Sequence, residues 1–369
     1  MMAARLGVAW GSVAAFLFLG AGWLGDLSAP LRAGFLFVWL FGVILWSAFG
    51  VVHEAEELAY RLGEPYGTLI LTLSIVIIEV ALVAAVMLGA KAAPTLGRDT
   101  MFAVLMIVMN GLVGVGLIVG GLRHHRQNYN LDGAAAYLAV IIPLTTIAMI
   151  LPNFTTSTSG GTLTTLQSVS FSLFTIALYA IFLLIQTGRH SDFFEAATLT
   201  SAGESGPVPE VPVKRETRAG PLLKHTGLLL ASLLPIVLLS KSLAAIIDHG
   251  IGALGAPTAL GGVLIAAIVF TPEGISAIKA IHRDELQRAI NLCLGAVTST
   301  VGLTVPAVLT IGLITGQTVV LGLAQTEMAL LAVTLVLSIL TFSRQGTTIL
   351  EGAVHLLVFL VYLVLIFSP

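Results

Sequence analysis

An all-α protein that crosses a lipid bilayer many times is the fold class this sequence predicts, and three observations predict it. Hydrophobic residues make up 57% of the chain and charged residues only 10%, with a mean hydropathy of +1.01, whereas soluble domains carry about 25% charged residues. Apolar runs of about 20 residues, each able to cross the hydrocarbon core as a helix, recur from end to end. The basic residues between them are divided unevenly between alternate loops. In full, the prediction is an all-α polytopic membrane protein of eleven transmembrane helices, arranged as two inverted five-helix repeats plus one extra N-terminal helix.

The spans are expected at 7–25, 33–52, 66–90, 100–122, 133–152, 163–187, 222–240, 257–280, 286–314, 320–341 and 346–367. The first follows the single Arg5 but is long enough to span, and no small-residue cleavage pattern follows it at 26–31, so it is read as a helix that stays. With the N-terminus inside, thirteen of the 17 basic residues fall in inside loops and only Arg32, Lys91, Arg98 and Lys241 fall outside. That split places the N-terminus in the cytoplasm and the C-terminus on the other side. Residues 188–220 are polar and carry Pro207, Pro209 and Pro212, as a solvated linker does. The expected organisation is an extra helix in 1–32, a first repeat in 33–187, a linker in 188–221 and a second repeat in 222–369. Gly63-Glu64-Pro65 stands sixteen residues before Glu79 and Gly255-Ala256-Pro257 eighteen before Glu273, a weak internal repeat.

Composition also excludes functions. A net charge of -2 offers no footprint for nucleic acid. Cys293 is the one cysteine, which rules out disulfides and cysteine-rich metal cages. No His-Glu-x-x-His, paired aspartate motif or nucleophile elbow is present, so a membrane enzyme has no constellation to work with. The expected partners are the bilayer and small ions; no cofactor is expected, and the oligomeric state is open.

The candidate chemistry sits on two carboxylates. Glu79 lies near the middle of an otherwise uncharged run and Glu273 in the matching place of the second half. An acid at bilayer depth costs a few kcal/mol and is kept where it meets an ion, a proton path or a partner. Thr68 and Thr72 lie within about 20° of Glu79 on a helical wheel. Pro272 and Gly274 flank Glu273, predicting a broken helix that frees a carbonyl for a cation, with a simple packing kink as the alternative. Span nine lines up Asn291, Gly295, Thr298, Ser299 and Gly302, and span four has Asn110 and Gly114. The glycines fit helix packing as well as ion contact; Asn110 and Asn291 are expected to hydrogen-bond the carboxylates. Glu351 and His355, four apart, suit a proton relay, a gate or a helix clasp. His53, Glu54, Glu56 and Glu57 are read as a solvated turn, with cation attraction or pH sensing as the alternative.

Several stretches carry a family resemblance: Gly63-Glu-Pro-Tyr-Gly-Thr-Leu-Ile-Leu-Thr-Leu-Ser74 leading to Glu79, Ala93-Pro-Thr-Leu96 with Arg98-Asp-Thr100, Pro272-Glu-Gly274 with Gln287-Arg-Ala-Ile-Asn-Leu292, and Gly352-Ala-Val-His355. Together they resemble the ChaA-type bacterial calcium/proton antiporters, in the cation/proton exchanger branch of the calcium/cation antiporter superfamily. The resemblance implies an inner-membrane exchanger of eleven helices that exports Ca2+, or Na+ or K+, against H+. It implies further that Glu79 and Glu273 are the acids of the two repeat motifs that bind the ion. One departure stands out: many members carry Gly-Asn-Ala-x-Glu at both repeats, where this chain has Ile75-Val-Ile-Ile-Glu79 and Val269-Phe-Thr-Pro-Glu273. Calcium takes six to eight oxygens, so without those amides the rest must come from carbonyls, threonines or water, and Na+ or K+ gains weight. The expected mechanism is competition of proton and cation for the same oxygens, two protons balancing one Ca2+. A cation channel using similar acids is the remaining alternative.

Overall fold

Apolar runs flanked by Pro, Gly and polar turns fold into helices because in lipid every backbone N–H and C=O must be satisfied within its own segment. The computed structural model of the chain describes residues 2–63, 66–88, 94–195, 219–344 and 346–368. Outside them lie Glu64 and Pro65 of the first Gly-x-Pro motif, Lys91 of the turn before span four, and the proline-rich part of the linker with Pro207, Pro209, Pro212, Lys214, Arg215 and Arg218. Among the described residues, ten helices are long and apolar enough to cross a membrane, and one more is shorter. In chain order they are α1 (Met2–Leu24), α2 (Pro30–Leu62), α3 (Tyr66–Met87), α4 (Leu96–His124), α5 (Leu131–Asn153), α6 (Thr165–Arg189), α7 (Ala219–Leu254), α8 (Ala259–His282), α9 (Leu286–Thr315), α10 (Gln325–Thr341) and α11 (Ile349–Phe367).

Two helices run well past their expected ends. α2 continues through 53–62, so His53, Glu54, Glu56 and Glu57 are helical and do not form a turn. The reason is local charge pairing: Arg61 bonds Glu57 at 2.6 Å one turn away. Glu54 is fully buried, with His225 Nδ1 of α7 at 2.8 Å and the Arg5 guanidinium of α1 at 4.0 Å. α7 likewise extends to Leu254, which places Lys241 within a helix. The extra helix α1 therefore packs on α2 and α7 as one bundle, joined also by the Trp10 indole on the Ala231 carbonyl at 3.0 Å.

α10 is shorter than the predicted 320–341 span. Residues 317–324 form instead an extended strap whose amides donate to Pro94, Gly161 and Met149 carbonyls. The most buried helix is α4, whose residues from Met101 to Met106 are all at most 1% exposed. α4 and α11 touch through backbone: a Cβ on Gly352 would stand 2.8 Å from the Gly114 oxygen, so only glycine fits there. The helix-broken-at-proline expectation is corrected. α8 is continuous through Pro272, as membrane helices allow when neighbours pack the kink.

Among the described residues four helices contain a wider turn, with i→i+5 bonding: α4 at Met106–Leu112, α5 at Thr146–Ile150, α6 at its end, Ile185–Arg189, and α9 at Thr300–Thr304. Such turns rotate the side chains beyond them and recur at functional sites. In α9 the turn leads into Val305-Pro306, and in α5 it comes after Pro143, whose missing N–H loosens the ladder.

Candidate ion-binding site

α3 and α8 pack directly on each other and carry Glu79 and Glu273 into the protein interior. Glu79 is fully buried and Glu273 is 8% exposed. The two lie within electrostatic reach of each other, and Glu56 of α2 also acts on Glu273. Thr300 opens the wider turn of α9, and its hydroxyl donates to Glu79 Oε2 at 2.9 Å. Thr304, later in that turn, faces the same carboxylate with a buried hydroxyl that has no partner of its own. Glu79 Oε1 and Glu273 Oε2 are buried and without a hydrogen-bond partner. An unpaired ionised carboxylate in such surroundings is costly enough that a proton or a cation must take its charge. The arrangement is thus two coupled acids, two threonine hydroxyls and two free oxygens.

A cavity of about 400 Å³ connects this region to one face of the protein. At one end stand the exposed Glu195 and Arg288, next to the start of the linker; at the other stand Glu273, Thr72, Ile75 and Ser299. Glu79 is not among the lining residues and lies one helical turn beyond Ile75. Glu273 therefore lines the cavity and Glu79 does not.

The other predicted site residues divide. Thr72 lines the cavity and shares a hydrogen bond with the Tyr179 hydroxyl; the side chain of Thr68 lies outside the described residues. Ser299 lines the cavity, with its hydroxyl donating to the Ala296 carbonyl at 2.9 Å. Asn291 also lines it but bonds neither acid: Nδ2 donates to the Phe194 carbonyl at 2.6 Å and Oδ1 accepts from Gln287 at 3.0 Å. Asn110 is away from the cavity, donating to Thr334 at 2.8 Å and facing His355 Nδ1 at 3.2 Å, while His355 Nε2 meets the Thr341 hydroxyl at 3.0 Å. That network clasps α4, α10 and α11. Glu351 caps the start of α11, accepting from the Thr348 amide at 2.9 Å and from the Thr348 hydroxyl. The cavity brings together Glu273, Thr72, Ser299 and Asn291, with Glu79 one turn beyond Ile75, and Asn110, Glu351 and His355 stand apart from it. Sequence reasoning missed Thr300 and Thr304; a threonine pair four apart in a membrane helix was the available signal.

Residues 33–188 and 224–368 match the sodium/calcium exchanger protein family. The chain is 39% identical to the putative ionic transporter y4hA of Sinorhizobium fredii over 92% of its own length and 90% of the relative's. It is 38% identical to the sodium-potassium/proton antiporter ChaA of Escherichia coli over 88% and 87%. In three dimensions it resembles the crystal structure of the Ca2+/H+ antiporter YfkE with a TM-score of 0.71 at 15% identity, covering 100% of this chain and 98% of that one; this likeness concerns the fold.

Proposed function

The chain belongs to the sodium/calcium exchanger family, and from that premise we propose that it is a cation/proton antiporter working by alternating access at Glu79 and Glu273. It is a multi-pass membrane transporter and not an enzyme. The single observation that carries the reading is the pair of coupled, buried carboxylates with free oxygens, one of them at the foot of a surface-connected cavity. Two negative charges are neutralised either by two protons or by one Ca2+, so occupancy by one excludes the other. If the helices rearrange only when the charges are neutralised, competition becomes exchange.

Calcium leaving the cytoplasm against external protons is the first reading, supported by the charge match. A second reading, Na+ or K+ for protons, is favoured by a specific observation: among the described residues no amide side chain bonds either acid, and Asn110 and Asn291 are both engaged elsewhere. That leaves fewer oxygens than Ca2+ prefers, and the relative ChaA bears the name of a sodium-potassium/proton antiporter. We read the linker face as cytoplasmic, from the distribution of basic residues, so the cavity is the inward opening. We further read 33–187 and 222–369 as inverted repeats around 188–221. Supporting this, α4 and α9 each come after a carboxylate helix and carry a wider turn, and α6 and α11 each open on a capping box, Thr164 with Gln167 and Thr348 with Glu351.

The test is proton release from sealed everted vesicles on adding Ca2+, Na+ or K+ in turn. The parent protein is expected to move protons with at least one of them, and Glu79→Gln and Glu273→Gln to lose that response while remaining in the membrane. Full exchange by either variant, or cation flux without proton movement, would refute the reading.

A further inference from the structure

The short turn Ser191–Phe194, which comes after α6 and opens the linker, is bound to three helices at the mouth of the cavity. Its backbone is held twice by asparagine amides: Asn130 Nδ2 of α5 donates to the Asp192 carbonyl at 3.1 Å, and Asn291 Nδ2 of α9 donates to the Phe194 carbonyl at 2.6 Å. The Phe193 carbonyl lies so close to Gly133 that a Cβ there would come within 2.2 Å of it. The Phe194 ring enters a cage, edge-on to Tyr137 at 5.3 Å and to Phe182 at 5.7 Å. Tyr137 is itself fixed by Gln186 at 2.8 Å and reaches the Asn291 carbonyl at 3.4 Å.

These contacts are out of proportion to a chain reversal. A four-residue turn leading into a polar linker needs no aromatic cage, and the Asn291 amide, which lines the cavity, would otherwise be free to face it. Instead it holds the turn, as Asn130 does from the start of α5. Phe194 forms part of the cavity wall next to the exposed Glu195, so the way from the surface to Glu273 runs past it. Elements held by a few hydrogen bonds and one ring open locally far more often than the helices beneath them.

We propose that Ser191–Phe194 is a latch that narrows the linker-face mouth of the cavity, held by Phe194 in its cage and by Asn130 and Asn291 on its backbone, and that its release sets how readily cations reach Glu273. The consequence for transport rests on Glu273 being a cation site; the latch itself does not.

The experiment reads access and not transport. In the full chain with Cys293→Ala and Ser299→Cys, reconstituted in nanodiscs, the labelling rate of the new thiol by a charged, water-soluble methanethiosulfonate is measured. Phe194→Ala empties the cage. Asn130→Asp keeps the acceptor that caps α5 through the Asp132 amide but removes the donor to Asp192. Asn130→Asp is expected to raise the labelling rate about fivefold, the shift that loss of one hydrogen bond makes in a closed–open equilibrium, and Phe194→Ala, which removes a buried ring, by at least as much. Rates within about twofold of the parent for both variants would overturn the latch, as would an equal rise at a Thr258→Cys control on the opposite face. The comparison is repeated with Glu273→Gln: a labelling difference that persists there, together with intact exchange by Glu273→Gln alone in sealed everted vesicles, refutes the site and leaves the latch standing.

Discussion

Thr300 offers the sharpest test of the ion site. Replacing it with valine keeps the shape of the side chain and deletes the hydroxyl that donates to Glu79 Oε2 at 2.9 Å. A hydrogen bond to an ionised acceptor contributes about 1.5–3 kcal/mol and one between neutral groups about 0.5–1.5 kcal/mol. The difference, about 1–1.5 kcal/mol, is what the hydroxyl contributes to the cation-loaded state over the protonated one, roughly five- to tenfold in affinity. Thr300→Val is therefore expected to raise the cation concentration for half-maximal exchange about five- to tenfold at fixed pH. Thr300→Ser, which keeps the donor, should stay near the parent. The measurement is the initial rate of cation-driven proton release in everted vesicles across a concentration series. A parental half-saturation in Thr300→Val, with normal expression, would refute the role given to this side chain and the competition it serves.

Competition also fixes the sign of the pH dependence: acidification should raise the half-saturating cation concentration, by about tenfold per pH unit for one-for-one exchange and up to about a hundredfold for two protons per ion. A half-saturation that ignores pH would rule out shared oxygens. Glu351→Ala removes only a cap and is expected to cost about 1 kcal/mol of stability, with exchange largely retained; a collapse of exchange at unchanged stability would restore a proton-relay role. Glu54→Ala leaves Arg5 and His225 without their buried partner and is expected to cost about 3 kcal/mol, read as a lower melting temperature in detergent, while a parental melting temperature would show the cluster to be unimportant. Gly352→Ala forces α11 away from the Gly114 oxygen, an overpacking of about 1–3 kcal/mol, and unchanged stability would contradict the close packing of α4 and α11.

The two acids were legible because their signal is local. A charge in an apolar run is costly wherever the chain folds, so position alone marks Glu79 and Glu273. The neighbours of those acids were not legible. Thr300 meets Glu79 across 221 residues of sequence and Asn110 meets His355 across 245, and no periodicity names such pairs. A regular wheel put Thr298 and Ser299 on the working stripe of α9. The wider turn at Thr300–Thr304 inserts one extra residue and rotates the helix beyond it by about 100°; Thr300, at its start, meets the carboxylate while Thr298 bonds back to the Leu294 carbonyl. The capping role of Glu351 was the reverse case: Thr348 three residues before it spelled a capping box, and the helical spacing to His355 obscured it.

By itself, then, the sequence determined the membrane class, the number of helices and the two acids, because hydrophobic length and buried charge act residue by residue. Tertiary structure alone decided that the Asn291 amide bonds the linker turn, that Asn110 ties helices together, and that of the two acids Glu273 meets the cavity. Polar side chains in lipid take whichever partner packing brings within about 3 Å, and packing is set by the whole chain.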